Sequence, residues 1–314
     1  MTETGINELP TYEGAMTQID CAVCGSAAQR PAWTVKDTLL EFPGEHKIVR
    51  CPECGTLRMS PRPPFEERRK AFTDLYPLFD WALGRRHTTV PDERIARFHY
   101  QIAHITKRHQ PGRLLDIGCG DGDFMLGMKR RGWEVRGIEL HQKVAEYARE
   151  ERGLDVVTGA EHEVDWDGTY DCITLFGIIE DLDDPNACLK RCHEHLADGG
   201  LLVIQTHNIA SLEARYFGAD WFNVEAPRHV WHFSPRSLKL LLKNNGFSQD
   251  DLFHYGSAYV TERSIENRRG KVFPSSIIDR VLRKTIIMPA ERLMPRMGQG
   301  IEIESYSRKS GAGS

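Results

Sequence analysis

The stretch "LLDIGCGDGDF", residues 114–124, decides how the rest of the chain is read. Leu114, Leu115 and Ile117 form an apolar run of strand type, Asp116 interrupts it near its end, and glycine then recurs at 118, 120 and 122. A strand that runs into a turn without side chains lets a large ligand approach bare backbone. A dinucleotide fingerprint places its third glycine one position later, where this chain has Asp123, and no Gly-Lys-Ser/Thr follows to make a phosphate loop. Glu139, in "GWEVRGIEL", closes the next expected strand, and a carboxylate there can accept hydrogen bonds from both hydroxyls of a ribose. Turn and acid together point to a nucleoside.

Outward from this turn, strand-like runs at 113–117, 133–138, 154–158, 170–176 and 201–206 alternate with helical patterns at 123–131, 141–152 and 185–196. Such alternation predicts parallel strands covered on both faces by helices. The helix from Pro185 has Asp184 as its cap, Leu189, Cys192 and Leu196 on one face, and Gly199 soon after its end. A further helix runs from the cap Ser234 through Pro235 to Asn245, and late strands fall within 247–260 and at 300–307. Upstream, Ile95, Phe98, Ile102 and Ile105 recur at helical spacing within 92–109.

Four of the eight cysteines stand near the start, as "CAVCG" (Cys21, Cys24) and "CPECG" (Cys51, Cys54). Two such knuckles can bring four thiolates onto one zinc ion in a closed tetrahedral site, which holds a fold together and leaves no position for water. A disulfide pair and a redox CxxC are the other readings; a reducing compartment opposes the first and the duplication opposes the second. The cysteine pattern resembles a zinc ribbon. "SPRPP", 60–64, then marks a linker, so the expected organisation is a ribbon over 1–62, helical pieces over 63–110 and an α/β domain over 111–314.

The 314 residues are 40% hydrophobic with a net charge of −4, an ordinary globular composition that gives no global reason to expect a polyanionic partner. The first residues are polar, and the longest apolar runs, such as "ITLFGII" at 173–179, are far short of a spanning helix, so a cytoplasmic protein is expected.

"LLDIGCGDGDF", "GIEL", "YDCITLFGIIEDLDDP", "LADGGLLVIQTHN" and "PRHVWHFSPRSLKLLLKNNGF" occur in that order. Together they resemble class I S-adenosylmethionine-dependent methyltransferases, in the small-molecule branch that includes the ubiquinone-pathway O-methyltransferases. The resemblance implies a Rossmann-like, seven-stranded methyltransferase sheet, here preceded by a small four-cysteine zinc ribbon. It implies that Asp116, Gly118, Gly120 and Gly122 cradle the methionine and ribose part of the cofactor, with Glu139 on the ribose hydroxyls. Ala160 and Glu161 match the adenine position loosely, and Phe176 and Gly177 would border the methionyl group. Relatives commonly carry histidine where this chain has Gly177 and Asp181, so a base at either place does not carry over.

"WFNVEAPRHVWHFS", 221–234, lies where this fold is expected to place a substrate wall. His229 and His232 are the leading candidates for general base, because imidazole titrates near neutrality, and His207 is a weaker one. Arg228 is available for an anionic substrate group, with Trp221, Trp231 and Phe233 as apolar lining. The alternative is a structural loop with core aromatics. Finally, 263–296 holds nine Lys or Arg against three acids, with Ile278, Val281, Leu282 and Ile286 as an apolar stripe. A basic amphipathic segment can rest on an anionic membrane surface, although a lid or dimer contact fits the same pattern.

The expected activity is methyl transfer from S-adenosylmethionine to a small metabolite, sugar conjugate or lipid-linked intermediate, most readily at oxygen. Two rivals stand beside it. One is an RNA methyltransferase that uses the ribbon and Arg58, Arg62, Arg68, Arg69 and Lys70 for RNA; the other is a cofactor-binding module without catalysis.

Overall fold

The computed structural model describes residues 15–39, 44–74 and 91–310. In chain order, the strands β1 (Arg30–Val35), β2 (His46–Arg50) and β3 (Leu57–Met59) precede helices α1 (Phe65–Asp74), α2 (Pro91–Ala96) and α3 (His99–Arg108). An alternating series follows: β4 (Arg113–Ile117), α4 (Asp123–Lys129), β5 (Glu134–Glu139), α5 (Gln142–Glu150), β6 (Asp155–Thr158), β7 (Tyr170–Phe176), α6 (Pro185–His195) and β8 (Leu196–His207). The remainder is α7 (Leu212–Phe217), β9 (Trp231–His232), α8 (Pro235–Asn244), β10 (Phe247–Tyr255), α9 (Ala258–Arg269), α10 (Ile277–Leu282), α11 (Met288–Leu293) and β11 (Glu302–Lys309).

The chain divides into two compact units. The first takes the described residues up to 74 together with His207–Ser237 and His254–Glu302. The second takes the described residues of 91–206 together with Leu238–Phe253 and those from Ile303 on.

The second unit holds a seven-stranded sheet, as the family resemblance implies, and its strand order is β10-β11-β8-β7-β4-β5-β6. Pairs β4–β5, β5–β6, β4–β7 and β7–β8 are parallel. The chain runs outward from β4 through β5 to β6, then returns to the other side of β4 with β7. That reversal makes a switch point at the carboxyl ends of β4 and β7, the place where open α/β sheets bind ligands. One face carries a continuous core: Leu114, Cys172 and Leu201, in register on neighbouring strands, and Val203, two residues on, join Ile102, Ile105, Phe124, Met128 and Ala145 of the helices. Asp184 caps α6 as expected, accepting from the backbone N–H groups of Asn186 and Ala187 at 2.9 and 3.0 Å.

Two details differ from the periodicity. The single helix expected over 92–109 is two, α2 and α3, separated by a turn at 97–98. Strand β8 starts at Leu196, so Ala197–Gly200 belongs to it; a polar, glycine-containing stretch gives no strand signal of its own.

The first unit is built on a four-stranded sheet in the order β1-β2-β3-β9. β1–β2, β2–β3 and β3–β9 are antiparallel, with Leu57 opposite His232 and Arg58 opposite Trp231. Its core joins Ile48, Leu57 and Met59 of the ribbon strands to Ile209, Phe217, Trp221, Phe222, Val260 and Ile301. The ribbon therefore shares one apolar core with residues that follow β8 and β10. The domain reading of the sequence places those later residues in the α/β domain.

Candidate active site and metal centre

Local chemistry at the end of β4 builds the candidate cofactor site of the second unit. Gly118 has φ 73° and Gly120 has φ 56°, the left-handed region that side chains avoid. A Cβ on Gly118 would stand 2.1 Å from Ile178 Cδ1, whereas one on Gly120 would meet nothing within 4 Å. The first glycine is required by packing; the second leaves open space over the turn. Gly118 and Cys119 donate their N–H groups to the Ile138 carbonyl at 2.7 and 3.0 Å, which ties the turn to the end of β5.

Glu139 lies at that end and is buried. Its Oε2 accepts from the Gly120 N–H at 2.9 Å and its Oε1 from the His141 N–H at 2.8 Å. Burial raises its pKa, and the His141 and Gly120 donors pull the other way. The Leu140 backbone pulls it down as well, and an ionised carboxylate, with two lone pairs on each oxygen, keeps acceptor capacity for a ligand. Asp116, also buried, accepts from the Thr174 hydroxyl at 2.6 Å, across the β4–β7 pair in which the two residues stand opposite. Desolvation pushes its carboxyl up to about 7, against the pull of Thr174.

Three arginines hold the acidic part of the turn. Arg94 pairs with Asp121 and, at 2.9 Å, with Asp123; Arg152 reaches Asp123 at 2.7 Å and Arg97 at 3.4 Å. The aspartate that spoils the dinucleotide fingerprint is thus a fully buried anchor between α2, α4 and the chain after α5. The sequence signals the need for such a cation, two acids beside a buried turn, but does not say which arginine answers it.

The other cofactor candidates of this unit are near the strand ends. Ala160 is buried and donates its N–H to Glu163, while the Glu161 carbonyl accepts from the Trp166 indole at 2.9 Å. Phe176 closes β7 in an aromatic group, edge-on to Phe124 with centroids 4.9 Å apart and stacked with Phe98 at 6.3 Å. Gly177 follows it and donates to the Gln205 carbonyl at 3.0 Å.

The base and substrate candidates lie in the first unit. His229 Nδ1 is 2.8 Å from the Asn223 carbonyl, so Nδ1 carries the proton and Nε2 is the acceptor. Burial, then the Arg228 charge, holds its pKa well below 6.5. The His207 ring stacks on His229 with centroids 5.0 Å apart and shares a 2.8 Å hydrogen bond with His232 Nδ1. His232 is itself depressed, first by burial and then by His207. The structure thus brings three histidines together, His207 in the middle. Arg228 is ion-paired with Glu225, and Trp221, Trp231 and Phe233 are fully enclosed side chains of core type.

Cys21, Cys24, Cys51 and Cys54 converge, with all four sulfurs within 4.8 Å of one another. Cys21–Cys54 and Cys24–Cys51 are 3.4 and 3.5 Å apart, and none is in a disulfide. Sulfurs at ~2.3 Å from a tetrahedral zinc would be roughly 3.8 Å apart, so the set fits that ion with little movement. The two knuckles repeat one bonding scheme: Gly25 N–H to the Cys21 carbonyl and Gly55 N–H to the Cys51 carbonyl, with Cys21 and Cys51 donating to Ser26 and Thr56. The four thiols can hold a structural zinc.

A glycine turn and a buried acid at adjacent strand ends beside a switch point define a nucleoside-binding α/β protein. Comparison with known proteins narrows this. Residues 86–251 match the family model described as a methyltransferase domain, and the chain belongs to that family. The ubiquinone biosynthesis O-methyltransferase of Xanthomonas axonopodis pv. citri is 28% identical, with the match covering 48% of this chain and 70% of the relative. The enzyme of the same name from an Azoarcus species is 32% identical over 40% of this chain and 54% of its own length. Magnesium protoporphyrin IX methyltransferase from Synechocystis, solved with SAH bound, superposes with a TM-score of 0.52 at 13% identity, covering 79% of this chain and 100% of its own. That likeness is one of fold. The fold and family are those of S-adenosylmethionine-dependent methyltransferases, and the cysteine knuckles lie outside the family match.

The RNA reading loses ground on burial. Arg58 and Arg68 are fully enclosed, and Arg58 donates to the Ile19 carbonyl at 2.9 Å, so neither offers its charge to a phosphate. Among the described residues no helix is long and apolar enough to cross a membrane.

Proposed function

We propose that this chain transfers a methyl group from S-adenosylmethionine to an oxygen of a small-molecule acceptor. One observation carries the reading: Glu139 is fixed by the Gly120 and His141 N–H groups beside a turn whose outer surface at Gly120 is open. In this reading Glu139 takes both ribose hydroxyls, and Asp116, Gly118, Gly120 and Gly122 bound the sugar and methionyl part. Ala160 and Glu161 border the adenine, and Phe176 and Gly177 the methionyl end. The bound cofactor supplies an electrophilic methyl on a sulfonium; the protein excludes water and aligns the nucleophile.

His229 is the preferred proton acceptor on geometry alone, because its Nδ1 bond to Asn223 fixes Nε2 as the accepting atom; burial and Arg228 make it a weaker base than the free imidazole. His232 is hydrogen-bonded to His207, whose ring stacks on His229, and Trp221, Trp231 and Phe233, enclosed in the core, would hold this group in place from behind and not line the acceptor. Arg228 would meet an anionic acceptor only by leaving Glu225. The relatives' names make an intermediate of ubiquinone biosynthesis the first acceptor to try.

Calorimetric titration with S-adenosylmethionine and its demethylated product tests the cofactor part. Glu139→Ala should weaken both by roughly 10- to 100-fold, the worth of charge-assisted hydrogen bonds. Equal heats from wild type and variant would overturn it. Transfer of labelled methyl to phenols, lipid extracts and RNA then identifies the acceptor, and tight cofactor binding with no transfer anywhere would favour a module without catalysis.

A second reading concerns location. Ile277 and Ile278 are 75% and 78% exposed, and Val281 and Ile286 are exposed beside Arg280, Arg283 and Lys284. Apolar side chains set among cations suit the surface of an anionic membrane, and we propose peripheral contact there. Flotation with phosphatidylglycerol vesicles should carry the protein, less so in high salt; no flotation at low salt would remove the proposal.

A further inference from the structure

The first unit contains a pocket of about 270 Å³, bounded by α7, α9, α11 and the chain that leads into β11. Phe217, Ile287, Met294 and Ile301 give it an apolar wall. Two carboxyls interrupt that wall, Glu213 and Glu291. Thr261 Oγ1 lies 2.8 Å from Glu213 Oε2 and 2.8 Å from Glu291 Oε1. A hydroxyl has one proton to give, so Thr261 cannot satisfy both carboxylates at once.

Of the remaining oxygens, both buried, Glu291 Oε2 has no hydrogen-bond partner among the described residues, and Glu213 has beyond Thr261 only the Trp221 indole, in poor geometry. Among the described residues no lysine or arginine is ion-paired with either group; Glu291 bears on Glu213, and Glu262, whose own partner is Arg283 at 2.5 Å, bears on Glu291. Burial, reinforced by Glu291, pushes Glu213 up to about 7, although Thr261 and the Trp221 indole pull it down. Burial raises Glu291 as well, with Glu262 adding to it. Buried acceptors without donors cost free energy, and a cation that brings N–H groups into such a place recovers it.

We propose that this pocket binds a small apolar ammonium compound, its hydrocarbon against Phe217, Ile287, Met294 and Ile301 and its N–H donors on Glu213 and Glu291. An ammonium offers three donors and a positive charge; an alcohol of the same shape offers one donor and no charge, and a carboxylate is repelled. The volume is at the small end for ligand pockets, about 300 Å³ and upward, which suits a short alkylamine rather than a polycyclic ligand. The inference is independent of the methyl-transfer reading, since first-unit residues alone line the pocket.

Hexylamine, hexan-1-ol and hexanoate are the probes, titrated into the full chain at pH 8 without cofactor and followed by calorimetry. Hexylamine should bind at least about tenfold more tightly than hexan-1-ol, the worth of one charge-assisted hydrogen bond, and hexanoate should not bind. The double variant Glu213→Gln, Glu291→Gln should lose that preference while keeping hexan-1-ol affinity, and Ala290→Phe, which fills the pocket, should abolish both. Equal affinity for amine and alcohol in the wild type overturns the proposal, as does an amine preference that survives the double substitution. The wild-type comparison decides even where a variant does not fold, and circular dichroism identifies such a variant.

Discussion

In the second unit burial raises the carboxyl of Asp116 to about 7, whereas in the first it drives the imidazoles of His229 and His232 well below 6.5. One cause, desolvation of a charged form, gives opposite responses to acid. Between pH 3.8 and about 7 folded Asp116 keeps a proton that the unfolded chain has released, so stability falls as pH rises through that window. Below 6.5 the unfolded chain takes up protons that the folded histidines refuse, so stability falls as pH drops. The units also differ in how they handle acids: the second surrounds Asp121 and Asp123 with arginines, while the first leaves Glu213 and Glu291 to share a threonine.

Stripping metal should separate the units most. Chelation, or Cys51→Ser, is expected to unfold the first unit, because zinc contributes several kcal/mol or more to small thiolate-bound folds. Near-ultraviolet dichroism and metal analysis would follow the change, and a first unit unaffected by complete zinc loss would contradict a structural role.

The glycines give the next largest effect, inside the second unit. Gly118→Ala should cost about 2–4 kcal/mol in urea unfolding, from the clash with Ile178 and left-handed strain together. Gly120→Ala should cost only about 1–2 kcal/mol, from strain alone, and weaken cofactor binding instead. Comparable stability losses would mean that the space over Gly120 is not open.

Acid should pull the units apart more gently. On going from pH 7.5 to 5.5, hydrogen exchange is expected to accelerate at β9 relative to β4, and Asp116→Asn should flatten the trend at β4. The same trend in both strands would show that titration elsewhere dominates. The smallest effect is at the surface, where Ile278→Ser should change unfolding stability by less than about 0.5 kcal/mol yet reduce vesicle flotation.

The second unit was the more legible because its chemistry is local. Strand, turn and helix follow one another from Arg113 to Lys129, and periodicity with glycine spacing records them directly. Glu139 could be named because it ends a strand; its bond to Gly120 could not, since that depends on how β5 lies beside β4. Arg94 and Arg152 were equally invisible as partners of Asp123. In the first unit the cysteine knuckles announce themselves, but the sheet they belong to does not. β9 is two residues long, too short for any periodic signal, and its place beside β3 is decided by the packing of distant stretches. For the same reason the sequence could draw attention to His229 and His232 but not show that His207 stands between them.

The late arrival of β9 has a consequence for biosynthesis. A nascent chain emerges from the ribosome with its cysteine hairpins long before Trp231, and Ile301 comes later still, so the edge of β3 stays bare while most of the polypeptide is made. A fragment ending near residue 62 would keep that exposed edge permanently, and is expected to self-associate even when loaded with zinc.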